Sequence, residues 1–112
     1  MIGIDQFPEF ITGCTEIALP FQGARGWFLQ GDGRQVAFIE FTDTVEVPEH
    51  SHKEQWELVL AGKARLRMEG DEKVYQAGDN FFIPAGVPHS ATVEAGYKAV
   101  IFFNEPDRYS AR

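Results

Sequence analysis

The sequence is short of several things that would commit it to particular classes of protein. It holds one cysteine, Cys14, in 112 residues, so no internal disulfide can form and no oxidising compartment is implied. A lone thiol far in sequence from the other reactive side chains reads as packed or idle rather than as a nucleophile. No run approaches the ~20 consecutive apolar residues a membrane span needs. Positive charge is scarce: 10 Lys and Arg stand against 17 Asp and Glu, a formal net charge of -7. Phosphate backbones and anionic lipid surfaces both recruit Lys and Arg, so neither nucleic acid nor a membrane is an expected partner. The first twenty residues carry Asp5, Glu9 and Glu16 and no basic residue, without the positive start and apolar run of a secretory signal. The expected location is therefore cytoplasmic. Histidine is scarce too, with three in all.

What is present is strand chemistry. Short apolar runs rich in Val, Ile, Phe and Thr are punctuated by Gly, Pro, Asn and Asp, and no long window repeats at helical spacing. With 44% hydrophobic residues the chain has material for a real core, and its length suits one domain spanning residues 1–112, with a core about 34–104. Strands are expected over Thr15 to Leu19, Gly26 to Gln30, Gln35 to Thr42, Thr44 to Pro48, Gln55 to Ala61, Ala64 to Glu69, Lys73 to Gln76, Asn80 to Ile83, His89 to Glu94 and Tyr97 to Phe103. Gly70-Asp71 is the expected hairpin turn between the sixth and seventh. Many short strands with Gly/Pro turns make an all-β sandwich or barrel. The apolar residues Ile2, Ile4, Phe7, Phe10 and Ile11 lack periodicity and suit a strap, a helical turn or an arm. Pro106 to Arg112 reads as a loose end.

All three histidines fall in turn-bounded β segments. His50-Ser51-His52 has the alternate spacing that puts both imidazoles on one face of a strand, where they can share an ion at the ~2.0–2.1 Å of a zinc–nitrogen bond. His89 comes 37 residues after His52, directly behind the rigid corner Pro84-Ala85-Gly86-Val87-Pro88. Two oxygen-bearing side chains, Gln55 and Glu57, share parity on the strand ending at Gly62. With Val59 they form one face, leaving Trp56, Leu58 and Leu60 as an apolar outer face that a second subunit is expected to cover.

An HxH pair alone is a weak signal, since two exposed loop histidines give the same pattern. The fuller pattern resembles the cupin superfamily over about Thr42 to Asn104. Its second motif is matched at Gly78, Pro84, Gly86 and His89 with the required spacing, although Val93 stands where the motif ends in asparagine. Its first motif is matched at His50, His52 and Gly62, with Thr44 in place of the leading glycine. The carboxylate position is open: counting forward from His52 gives Glu57, and counting back from Gly62 gives Gln55. The segment from His50 to Trp56 resembles small single-domain cupins that carry a glutamine there, and register within the strand favours Gln55.

The resemblance implies a double-stranded β-helix (jelly-roll) barrel. It also implies one divalent metal ion (iron, manganese, nickel, zinc, cobalt or copper) held by His50, His52, His89 and Gln55. Related cupins include dioxygenases, isomerases, decarboxylases and lyases. The expected function is a metal-dependent enzyme acting on a small polar molecule, with Glu57 as the proton-transfer group. The alternatives are a metal-dependent binding or sensing module without turnover, and a metal-free structural or sugar-binding cupin. A homodimer is expected. Phe38, Phe81, Phe82, Tyr97, Phe102 and Phe103 read mainly as core; Trp27 and Phe28 suit interface anchors, and Tyr109 carries no expected role. Arg65 and Arg67 share parity and are placed by default at the surface, though an inward arginine would imply an anionic substrate.

Overall fold

Alternation along one strand sets the pattern for the molecule. In Arg34–Phe41 the side chains of Ala37, Ile39 and Phe41 are buried while Val36, Phe38 and Glu40 are only partly covered, as a half-buried strand of period two requires. A computed structural model describes residues 6–112. A short helix, α1 (Glu9–Thr12), precedes ten strands: β1 (Thr15–Glu16), β2 (Ala24–Gly31), β3 (Arg34–Phe41), β4 (Val45–His50), β5 (Gln55–Ala61), β6 (Lys63–Met68), β7 (Asp71–Gln76), β8 (Asn80–Ile83), β9 (His89–Val93) and β10 (Lys98–Phe103). They form two antiparallel sheets, ordered β1-β2-β3-β10-β5-β8 and β4-β9-β6-β7. This is the jelly-roll arrangement, with the inward residues of both sheets meeting in one core. Ile39, Val59, Ala99 and Phe103 from the first sheet and Ala64 and Val93 from the second share that core. No helix among the described residues is long and apolar enough to cross a membrane.

Two glycines are required by their surroundings. Gly62 has φ +73°, and a Cβ there would lie 2.7 Å from the Tyr97 Cα, so only glycine lets β5 turn into β6 against the loop before β10. Gly86 has φ +76°, and its N–H donates to the His52 carbonyl over 2.8 Å. That bond ties the Pro84–Pro88 corner to the segment carrying the paired histidines.

The structure differs from the sequence reading in several places. The hairpin between β6 and β7 turns at Glu69-Gly70, one residue earlier than expected, with φ of 53° and 79° and Met68 opposite Asp71. Two successive positive φ values are the two-residue turn that suits strand twist. The first strand stops at Glu16; Ile17 still donates its N–H to the Gly26 carbonyl over 2.8 Å and also bridges to Ala111 in the tail.

The tail is anchored rather than loose. Ala18 donates to the Ser110 carbonyl over 2.9 Å and Arg112 to that of Glu16 over 2.8 Å. Gln35, 0% exposed, bonds the backbone N–H and carbonyl of Tyr109, each at 3.0 Å. A buried amide needs partners, and here the tail backbone supplies them.

Trp27 is not an exposed interface anchor but lies beneath Phe7, whose ring meets Trp27 and Phe38 edge-on at 6.2 and 5.9 Å. Ile2 and Ile4 lie outside the described residues. Arg65 and Arg67 point away from the core and pair with Glu72 and Glu46.

Candidate metal centre

The strand bearing His50 first has to reverse its facing. Val45 and Val47 turn toward the core, so simple alternation would send His50 outward. The pairing of β4 with β9 runs Val47↔Ala91 and then His50↔His89, three residues against two. This bulge at Pro48-Glu49 resets the parity and aims His50 inward. Proline suits the bulge because it has no ladder N–H to offer. His52 follows two residues on, past the end of β4 and not within a strand as the sequence spacing suggested, and His89 opens β9 directly opposite His50.

The three imidazoles meet at one point in the sheet sandwich. Their ligand nitrogens lie within 4.8 Å of one another, and the ring centroids of His50–His89, His52–His89 and His50–His52 are 4.4, 4.8 and 5.3 Å apart. Each Nδ1 is at hydrogen-bond distance from a backbone carbonyl: His50 to Pro48 at 2.8 Å, His52 to Lys53 at 2.7 Å and His89 to Val87 at 2.9 Å. A carbonyl can only accept, so each Nδ1 is the donor, and in a neutral ring the lone pair then sits on Nε2. Such tethers fix tautomer and ring orientation at metal centres.

Burial holds the His52 pKa down to about 4, and the nearby Arg108 charge adds to the effect. Burial lowers His89 as well. Both are therefore neutral near pH 7, the form that ligates metal. The His52 Nε2 is sealed from solvent with no hydrogen-bond partner, a cost that a cation removes. The donor set and this orphaned nitrogen fit a divalent ion: the three histidines are positioned to bind one.

Gln55 and Glu57 both face inward from β5, as parity requires, at 7% and 6% exposure. The Gln55 Nε2 donates to Glu57 Oε1 over 2.7 Å, which leaves the Gln55 carbonyl oxygen without that partner. Tyr97 donates its hydroxyl to Glu57 Oε2. Burial raises the Glu57 pKa to about 7, against the lowering pull of these two bonds. Burial, then the adjacent carboxyl, raises that of Tyr97.

Histidines, glutamine and glutamate all line one cavity of about 560 Å³, whose walls include Phe41, Leu66, Phe81 and Phe103. Tyr97, Arg108 and Tyr109 line it too. The sequence reading gave Tyr97 to the core without its hydroxyl bond and left Arg108 and Tyr109 in a loose tail. No local signal marks them, since the partner that pins the tail, Gln35, lies 74 residues from Tyr109.

Comparison with known proteins identifies the family and the fold. The family described as "Cupin domain" matches residues 40–103, and the chain belongs to that family. An uncharacterized protein of Aquifex aeolicus (strain VF5) is 42% identical over 53 residues, a match spanning 46% of this chain and 44% of that protein. An RmlC-like cupin from Shewanella frigidimarina NCIMB 400 is 30% identical, with 84% of this chain and 86% of that chain covered at a TM-score of 0.71. The KdgF structure from Halomonas sp. is 19% identical, covering 82% and 88% at a TM-score of 0.71, and shares the fold.

Proposed function

We propose that the protein is a metal-dependent enzyme acting on a small polar molecule. In this reading His50, His52, His89 and the Gln55 side-chain oxygen hold one divalent ion, and Glu57 handles a proton beside it. The observation that carries the reading is the set of three carbonyl-tethered imidazoles sharing a cavity with a buried carboxyl whose pKa lies near neutrality. A bound ion supplies Lewis acidity, or redox chemistry if it is iron or copper. The chain's own groups do the rest. Gln55, held by Glu57, keeps its oxygen available, and a carboxyl titrating near pH 7 exchanges a proton readily in either direction.

One observation favours a second reading, a binding or sensing module without turnover. Both Glu57 oxygens are already engaged, one by Gln55 and one by Tyr97. Glu57→Gln separates the two readings. Under the enzyme reading turnover in a screen of small carboxylates and sugars falls at least ~100-fold while metal content is kept. Under the binding reading no turnover is found, and ligand affinity is unchanged by the substitution.

A second copy of the chain is the partner proposed for the outer sheet face. Leu29, Val36, Phe102, Trp56 and Phe82 are direct cross-strand neighbours over five strands. Of these, Leu29, Trp56, Phe82 and Phe102 are 40–55% exposed, a contiguous apolar row rather than scattered residues; Phe82 and Phe102 are thus on the outer face and not in the core where the sequence reading put them. Sedimentation at micromolar concentration should give a dimer that Phe102→Lys dissociates; a monomeric wild type contradicts it.

A further inference from the structure

We infer that Arg108 binds a carboxylate group of the ligand, so that the cavity takes a small carboxylate anion held between the guanidinium and the histidine centre. The inference deepens the metal reading and rests on it for the anion's second anchor.

The chain has six arginines. Five are paired with a carboxylate: Arg25, Arg34, Arg65, Arg67 and Arg112. Arg108 is in none of the ion pairs among the described residues, and its Nε is buried without a hydrogen-bond partner. A guanidinium Nε–H held out of water with no acceptor is costly unless something arrives to accept. It is also held in place. Its carbon lies 4.5 Å from the Tyr109 ring centroid and 5.6 Å from that of Phe103, a favourable cation–aromatic arrangement. Phe103 in turn meets His52 edge-on at 5.6 Å. Gln35 fixes the Tyr109 backbone on both its polar atoms, so the tail presents Arg108 already ordered.

None of the acidic groups nearby is in an ion pair with this charge. Glu105 lines the same cavity but accepts from the Lys53 backbone N–H at 2.9 Å. Asp107 is exposed at the rim. Glu57 is committed to Gln55 and Tyr97. The proposed donor set of three imidazoles and one amide contains no carboxylate, so a divalent ion there keeps its full charge. Ion and guanidinium together call for an anion, and the planar two-oxygen carboxylate matches the guanidinium fork.

The test is a titration of cobalt(II)-loaded protein with malonate, followed by the visible cobalt bands, for wild type, Arg108→Gln and Arg108→Lys. Malonamide and inorganic phosphate serve as the uncharged and tetrahedral comparisons. The expected result is malonate binding weakened ~10-fold or more in Arg108→Gln and less in Arg108→Lys, with cobalt content and melting temperature unchanged. Malonamide affinity is expected to be the same in wild type and Arg108→Gln. Equal malonate affinity in wild type and Arg108→Gln, no malonate binding to wild type, or Arg108-dependent binding of phosphate in preference to malonate overturns the inference. If cobalt does not load, the metal reading fails on its own. The same malonate titration by NMR on metal-free protein then decides the role of Arg108, with a ~10-fold loss in Arg108→Gln supporting it and equal or absent binding overturning it.

Discussion

Tyr97, in the loop before β10, donates its hydroxyl to the Glu57 carboxyl on β5, across 40 residues of sequence. The bond joins the loop that Gly62 must approach closely to the buried group beside the histidines. It also restrains the Glu57 pKa, which burial alone would raise further. Tyr97→Phe removes the donor and leaves half of a buried carboxyl unsatisfied. The expected cost is about 1–3 kcal/mol in chemical denaturation, with the Glu57 pKa moving further above about 7 in a carboxyl NMR titration. Unchanged stability together with an unchanged pKa contradicts the bond.

Glu57 also makes the metal-free protein sensitive to pH. Its folded pKa of about 7 lies above the ordinary 4.5, so the folded chain holds a proton that the unfolded chain releases. The stabilisation is full below the unfolded value and is lost as pH rises from 4.5 through about 7, by roughly 3 kcal/mol at most. His52 and His89 act in the opposite sense. Their lowered folded pKa values make stability rise with pH up to the ordinary value of 6.5. The difference in stability between wild type and Glu57→Gln isolates the carboxyl. Measured from pH 4.5 to 8, wild type should lose ground steadily against the variant. A pH-independent difference contradicts the buried carboxyl.

Gly62 and Gly70 both have positive φ, but only Gly62 has a neighbour against it. A Cβ at Gly62 meets Tyr97 backbone at 2.7 Å, whereas one at Gly70 meets nothing within 4 Å. Gly70→Ala should cost about 1 kcal/mol from backbone conformation alone. Gly62→Ala should cost at least about 3 kcal/mol, because backbone has to move. Thermal melts of the two variants compare them directly, and equal losses contradict the close approach.

Much of the centre was legible because its signals are local. The spacing from Gly78 through Pro84 and Gly86 to His89 encodes a turn, a short strand and a corner, and period two on β5 places Gln55, Glu57 and Val59 on one face. The inward turn of His50 was not derivable from alternation. It depends on the bulge at Pro48-Glu49, visible only once β4 is paired with β9. The turn at Glu69-Gly70 was misplaced by one residue because Gly70-Asp71 is an equally plausible local pattern, and cross-strand register decides between them. Arg108 and Tyr109 were missed for a different reason: what orders the tail is a buried glutamine on β3, a contact between distant segments that leaves no periodic trace.

Gln55 is the proposed ligand whose charge can be changed without changing its length. Gln55→Glu places a second carboxyl beside Glu57, so in metal-free protein one of the pair must stay protonated. The expected outcome is a loss of about 1–3 kcal/mol without metal near pH 7, recovered on adding a divalent ion that the new carboxylate can bind. Denaturation curves with and without metal read both effects. A loss that metal does not recover contradicts the placement of Gln55 at the ion.

Elemental analysis of freshly purified protein, beside His52→Ala prepared identically, tests the metal centre most directly. The expected result is close to one divalent ion per wild-type chain, a melting temperature lowered by chelator, and loss of both properties in the variant. Wild type holding less than ~0.1 ion per chain, not restored by adding divalent metals, contradicts the account.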